Sequence, residues 1–214
     1  MESNLIRFNT TDKFLLVDAE TFNLNLNYKF NNAWQIGLLM FKGKDVIRER
    51  DFIVNWQGDY EMSDGARQIT GYSEEEVERK GLPPEEGWAI LDKALNSADY
   101  LMFHNGLGFD QYIINAYYKK LGKEPFDYSS LKGILDTLPI ARGVALNIHP
   151  SENEDLLTYQ YKMLNKRSKG IKLTLAALGK SLGVEYDESG LHDAANDLIL
   201  NKKIWDKLKY QINF

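Results

Sequence analysis

"FLLVDAETFN", running from Phe14 to Asn23, sets how the rest of the chain is read. An apolar run of strand length ends in two acids, Asp18 and Glu20, with one residue between them, and a polar loop follows. Residues two apart on a strand share a face. The two carboxylates therefore emerge side by side, and their charges repel unless a cation lies between them.

Composition limits what that cation is. The chain has no cysteine and only His104, His149 and His192 as imidazoles, so a metal has to be held mainly by carboxylates. Such a set favours a hard ion, magnesium or manganese. His104 reads as the end of a buried strand rather than a ligand, and His149, beside Pro150, as a loop residue. A net charge of -5 counts against a protein that coats nucleic acid non-specifically, because that affinity comes from Lys and Arg neutralising phosphates. It leaves room for an enzyme that grips a few nucleotides through metals. The 214 residues suit one domain with a real core. No apolar stretch approaches the roughly 20 residues that span a bilayer, and "MESNLIRFNTTDKF" lacks the layout of a signal peptide. No membrane partner is expected, and the location expected is cytoplasmic.

Outward from the opening strand, "WQIGLLMF" (Trp34–Phe41) and "DVIRERDFIV" (Asp45–Val54) continue as a meander. Helical signals follow: a capping box at Ser73 and Glu76, a start at Pro83–Pro84 with Trp88, Leu91 and Leu95 on one stripe, and the strand "YLMFHN" leading to a stripe of Phe109, Ile113 and Ala116 that stops at Gly122. Leu175, Leu178 and Leu182 mark a helix stopped by Gly183, and Asp193 to about Leu208 the last one. Strands first, then a strand alternating with helices, predict an α/β protein with a mixed sheet flanked by helices. Gly143 to Gly170 shows neither period. Its end, "YKMLNKRSKGIK", holds Lys162, Lys166, Arg167, Lys169 and Lys172 without an acid, either as a solvated loop or as a phosphate-contacting flap.

Two more pieces join Asp18-x-Glu20. "HNGLGFDQYII" places Asp110 in the first turn of a helix, directly after a strand, where the helix dipole also favours an acid. "LHDAANDLIL" places His192 five residues before Asp197. Each piece alone has an ordinary structural explanation, but their joint occurrence in this order is hard to obtain by accident. These are the motifs of the DEDDh exonucleases, a branch of the ribonuclease-H-like superfamily, and the chain resembles that family from roughly Phe14 to Trp205. "ARQITGYSEEEVERKGLPPEEGWAILDKALNSADYLMFHN" resembles the stretch joining the first two motifs in proofreading exonuclease subunits. "LDTLPIAR" (Leu135–Arg142) and "KLTLAALGKSLGV" (Lys172–Val184) resemble later segments. In "HNGLGFD" three residues separate Asn105 from Phe109, as in some phage-type polymerase exonuclease domains, where those subunits usually have two. Asp193 stands where such polymerase domains carry a tyrosine, and the histidine decides the branch.

The resemblance implies a ribonuclease-H-like fold, a mixed five-stranded sheet flanked by helices. It implies one exonuclease domain over residues 1–214, with an irregular substrate-side insertion near 143–170. Two divalent cations, Mg²⁺ or Mn²⁺, would be held by Asp18, Glu20, Asp110 and Asp197, with His192 as the base. Asp193, one turn from Asp197, is the rival for the last ligand, and the five-residue spacing favours Asp197. Ala19, Thr21, Phe22, Asn105, Phe109, Lys166 and Arg167 would meet substrate, Phe22 either as an apolar wedge against the terminal base or as a staple over the core edge. The implied activity is 3′–5′ removal of nucleoside 5′-monophosphates from single-stranded ends, with DNA ahead of RNA and a polymerase as an implied partner, in a bacterial or phage-infected cytoplasm. An RNA-trimming exoribonuclease of the same branch and a non-catalytic nucleic-acid-binding or polymerase-tethering module stand as alternatives.

Overall fold

Alternation along the opening strand divides the molecule into layers. The computed structural model describes residues 8–26, 31–58, 60, 62, 67, 70–167, 169–187 and 194–211. In it β1 (Phe14–Thr21) pairs antiparallel with β2 (Ala33–Lys42), which pairs antiparallel with β3 (Asp45–Ile53). On its other side β1 runs parallel to β4 (Tyr100–Phe103), which runs parallel to β5 (Gly133–Asp136). The result is a mixed five-stranded sheet of order β3-β2-β1-β4-β5, with β1 at its centre.

Seven α-helices lie among the described residues: α1 (Glu74–Lys80), α2 (Pro84–Leu95), α3 (Asp110–Lys120), α4 (Thr137–Leu146), α5 (Leu156–Leu164), α6 (Leu175–Ser181) and α7 (Ala194–Leu208). Leu15 and Val17 face a core that includes Leu91 and Leu95 of α2 and Ile113 and Tyr117 of α3. Phe14 and Leu16 face the opposite core, with Ile140 of α4, Leu178 of α6 and Leu198, Ile204 and Trp205 of α7. Each such side chain contributes about 1.5–3 kcal/mol by leaving water, so both faces of the sheet need their helices. Phe8 closes the start of β1, edge-on to Phe14 at 5.1 Å, Tyr100 at 5.2 Å and Trp205 at 5.7 Å. None of the helices described is long and apolar enough to cross a membrane.

The helix signals have local causes. Ser73 accepts a hydrogen bond from the Glu76 N–H at 3.3 Å and starts α1. Gly122 and Gly183 end α3 and α6 with φ of 64° and 63°, a left-handed turn that favours glycine. The segment 143–170 departs from the expectation of irregularity, because it contains α5 and the last turn of α4. Asp155 caps α5 by accepting from the Thr158 N–H at 2.9 Å. The inward face of α5 is Tyr159, Gln160 and Met163; a buried glutamine on that stripe hides the apolar period. In α4, Pro139 and Gly143 lower the propensity that would announce a helix. Gly143 has a packing reason, since a Cβ there would collide with the Tyr159 hydroxyl, which donates to the Ile148 carbonyl at 2.8 Å.

Gly143→Ala should therefore destabilise the protein by about 1–3 kcal/mol, the usual range for overpacking, measured by urea unfolding. Adding Tyr159→Phe, which removes the colliding oxygen, should recover part of that loss.

Candidate active site

Asp18 and Glu20 continue the β1 face that bears Phe14 and Leu16, the face covered by α7. The helix comes close because of what β2 lacks. Gly37 is the register partner of Asp18, and a Cβ on it would lie 2.8 Å from Leu198 Cδ1 and 3.0 Å from Ala194 Cβ. With only hydrogen at Gly37, α7 settles against the sheet at the level of Asp18 and brings Asp197 with it. Ligand oxygens of Asp18, Glu20 and Asp197 lie within 4.8 Å of one another, on side chains that are all half-buried. The β1–β2 register then shifts between Glu20 and Thr21, so the strand bends immediately past the acids.

At such separations two ionised carboxylates repel by about 3–4 kcal/mol for an effective dielectric of about 20. Asp110, buried in the first turn of α3, feels this charge too. Its pKa is raised well above the ordinary carboxylate range, first by desolvation, then by Asp18 and Asp136, while the backbone N–H groups of Asp110 and Ala19 hold it partly back. The arrangement can hold one or more hard cations through oxygen donors, and a cation there offsets their mutual repulsion.

Two residues that sequence reasoning did not single out hold these acids in place. Asp136, wholly buried at the end of β5, accepts from the N–H groups of Asn105 at 2.7 Å, Leu107 at 3.0 Å and Leu138 at 3.1 Å. It thus pins the loop that delivers Asp110. Its own N–H donates to Gln160 Oε1 at 2.6 Å, and Gln160 donates onward to the Ile134 carbonyl at 2.9 Å. Thr137 is wholly buried as well. It donates to Asn201 Oδ1 at 2.7 Å and meets His104 Nδ1 at 2.9 Å. Asn201 sits one turn beyond Asp197 on α7, so the neighbouring residues Asp136 and Thr137 tether both acid-bearing helices. The signal in "LDTLPIAR" was the Asp before a helix, which accounts for the cap to Leu138 and for none of the longer-range bonds. His104 is pushed down to about 4, chiefly by desolvation and against the backbone of Leu173, so it is neutral at physiological pH and ties strand to helix.

The remaining expected residues fall in several places. Ala19 is half-buried on the opposite face of β1, against the α2–α3 core. Thr21 is buried, and its hydroxyl donates to the Asn23 carbonyl at 2.9 Å. Phe22 corrects the wedge expectation: it is 1% exposed, stacked on Tyr60 at 4.2 Å and edge-on to Tyr72 at 5.6 Å, so it is a staple in the core. The apolar contacts below β1 outweigh any gain from presenting the ring to solvent. Asn105 is exposed with φ of 69°, a conformation asparagine tolerates, and Phe109 half-buries its ring where α3 begins. Lys166 and Arg167 are exposed just beyond α5. Arg142 Nη1 donates to the last α5 carbonyls, Met163 at 2.7 Å and Leu164 at 2.6 Å. Leu164 Cδ2 lies 3.5 Å from where a Gly108 Cβ would sit, so the cationic turn adjoins the loop before Asp110. His149 is exposed. His192 and its neighbour Asp193 lie outside the described residues.

Comparison with known proteins yields a family and a fold. The RNase_T family, described as Exonuclease, matches residues 15–204. A structure of E. coli exonuclease I in complex with a dA16 oligonucleotide superposes with a TM-score of 0.75 at 20% identity, covering 94% of this chain and 41% of that one. The zinc-bound E. coli exonuclease I–ssDNA complex gives 0.74 at 20% identity, covering 93% and 41%. A product-bound structure of exonuclease I gives 0.70 at 18% identity, covering 94% and 45%. The chain thus spans less than half of the proteins whose ribonuclease-H-like fold it shares. No curated protein matches it in sequence.

Two expectations follow from the geometry. Gly37→Ala should push α7 outward and weaken Mn²⁺ binding by about 10–100-fold, the range seen when groups that orient ligands are altered, as read by titration calorimetry. Asp110, with a folded pKa above its unfolded value, contributes stability at low pH that is lost as pH rises through the folded pKa. Metal-free wild type should therefore lose melting temperature relative to Asp110→Asn as pH rises above the ordinary carboxylate range, and saturating Mg²⁺ should abolish the trend.

Proposed function

The chain belongs to the RNase_T exonuclease family, and from that membership we propose a metal-dependent 3′–5′ exonuclease that releases nucleoside 5′-monophosphates from single-stranded DNA ends. The observation that carries the reading is the approach of Asp18, Glu20 and Asp197 within 4.8 Å. Half-buried oxygen donors that repel one another, in a chain without cysteine, fit Mg²⁺ or Mn²⁺. Two such ions would be held by Asp18, Glu20 and Asp197, with Asp110 as a direct or water-mediated ligand, and when bound they supply an activated water and charge to meet the leaving oxygen.

The protein's own groups do the rest. Glu20 and Asp197, on strand and helix, fix the attacking side relative to Asp18. His192, five residues before Asp197 in sequence, accepts the proton of the attacking water, a role suited to imidazole and worth about 10²–10⁴ in rate. Asn105, Phe109 and the backbone of Ala19 and Thr21 receive the terminal nucleotide, and Lys166 and Arg167 neutralise phosphates behind it. A single strand is the fitting substrate, because the last nucleotide has to leave any partner to bring its phosphate to the acids. DNA is favoured because the similar exonuclease I structures hold DNA oligonucleotides.

A time course with Mn²⁺ on 3′-labelled single-stranded DNA, duplex DNA and RNA of one sequence tests this. Single-stranded DNA should shorten fastest and EDTA should stop it. Asp18→Asn and Asp197→Asn should fold yet lose about 10³-fold or more, as when a member of a catalytic unit is removed. His192→Ala should lose about 10²–10⁴-fold, mainly near neutral pH. Undiminished digestion by Asp18→Asn overturns the reading, faster loss of RNA moves the substrate to RNA, and Mn²⁺ binding without any digestion leaves a non-catalytic binding module.

A further inference from the structure

We propose that Tyr112, Tyr161 and Leu157 form a stacking strip for the nucleotides upstream of the cleaved end, an inference that rests on the exonuclease reading above. α3 buries Asp110, Ile113, Ile114, Tyr117 and Tyr118, which leaves Tyr112 in solvent at 52% exposure. α5 buries Tyr159, Gln160 and Met163, and on its outer side Leu157 and Tyr161, four residues apart, stand 38% and 36% exposed. The two helices meet at this surface: the Tyr161 hydroxyl lies 3.4 Å from Gln111 Oε1.

Single exposed apolar side chains are ordinary on a protein surface. This group is not scattered. Tyr112 lies two residues past Asp110, and α5 leads from Leu157 past Tyr161 to Lys166 and Arg167, next to the Gly108 loop. Among the described residues Lys166 and Arg167 form no ion pair. The acids near α5, Glu152, Glu154 and Asp155, lie at its opposite end, where Glu154 pairs with Lys162 at 3.2 Å and Asp155 accepts from the Thr158 N–H. Exposed aromatic rings leading to cations, beside a phosphodiester-cleaving centre, complement a polyanion whose bases are unpaired. Stacking on such rings is indifferent to base identity, as a nuclease that moves along any strand requires. A peptide or a second copy of the chain would use the rings equally but would leave the adjoining cations without purpose.

The probe is a ladder of fluorescent oligo-dT, about 2 to 12 nucleotides long, a span that includes the site sizes of single-strand grooves, closed by 3′-phosphorothioate linkages. Wild-type Kd should fall stepwise as added nucleotides reach the strip. In Tyr112→Ala/Tyr161→Ala the steps should flatten, weakening the longest oligonucleotides by about fivefold or more per base lost, while Tyr112→Phe/Tyr161→Phe, which keeps the rings, should restore them. Tyr210→Ala, exposed among the residues around Phe8, should change nothing. An abasic ladder should show no ring-dependent steps. Unchanged steps in the double alanine variant, equal steps on the abasic strand, or loss of a dimer in that variant by sedimentation would each overturn the strip. A wild type that cleaves but has a flat ladder removes the strip alone; one with a stepped ladder and no cleavage removes the exonuclease reading and keeps the strip as a binding surface.

Discussion

Carboxylates that approach within 4.8 Å of one another do so against their own repulsion, and a chain that keeps them there has to do it with parts that do not yield. The central strand provides one such part. β1 is hydrogen-bonded on both edges and covered on both faces, so Asp18 and Glu20 cannot swing apart without disturbing two cores. α7 provides another, seated by Leu198, Ile204 and Trp205 and admitted by the bare Cα of Gly37. Close-packed interiors transmit strain rather than absorb it. The acidic cluster is therefore held in place by the packing of strand and helix.

The same logic explains the buried polar network behind the cluster. Asp136 is an acid with no exposure whose carboxylate is occupied by three backbone N–H groups. Desolvation raises its pKa and those three bonds pull it back. Beside it, Thr137 reaches Asn201 and His104. Satisfied buried networks rigidify a core, whereas half-satisfied ones are costly. Here two adjacent residues connect the end of β5 to the loop before α3 and to the middle of α7, so the spacing between Asp110 and Asp197 is set through one short, dry connection.

Much of the frame was legible because local chemistry and packing agree. The cap at Ser73, the stop at Gly122 and the apolar run of "FLLVD" describe the same elements that the tertiary contacts stabilise. The acids of the cluster were legible only together, since each motif alone has an ordinary structural explanation and the ordered set of three does not. What escaped depended on partners distant in sequence. α5 hid behind Gln160, whose burial makes sense only once Asp136 lies beside it. Gly37 looked like one residue in an apolar strand, although its use is set by a helix more than a hundred and fifty positions later. Phe22 followed two acids and so read equally as a substrate wedge or a staple, yet Tyr60 and Tyr72 cover it.

The acidic cluster draws Asp18 from the first strand and Asp197 from the last helix described. Domains are built from the N-terminus as translation proceeds, so a nascent chain still within the ribosome has the sheet before it has the last member of its acidic set. Completion of the acidic set is thereby deferred until α7 docks, and incomplete products of interrupted synthesis, lacking that helix, are left without Asp197.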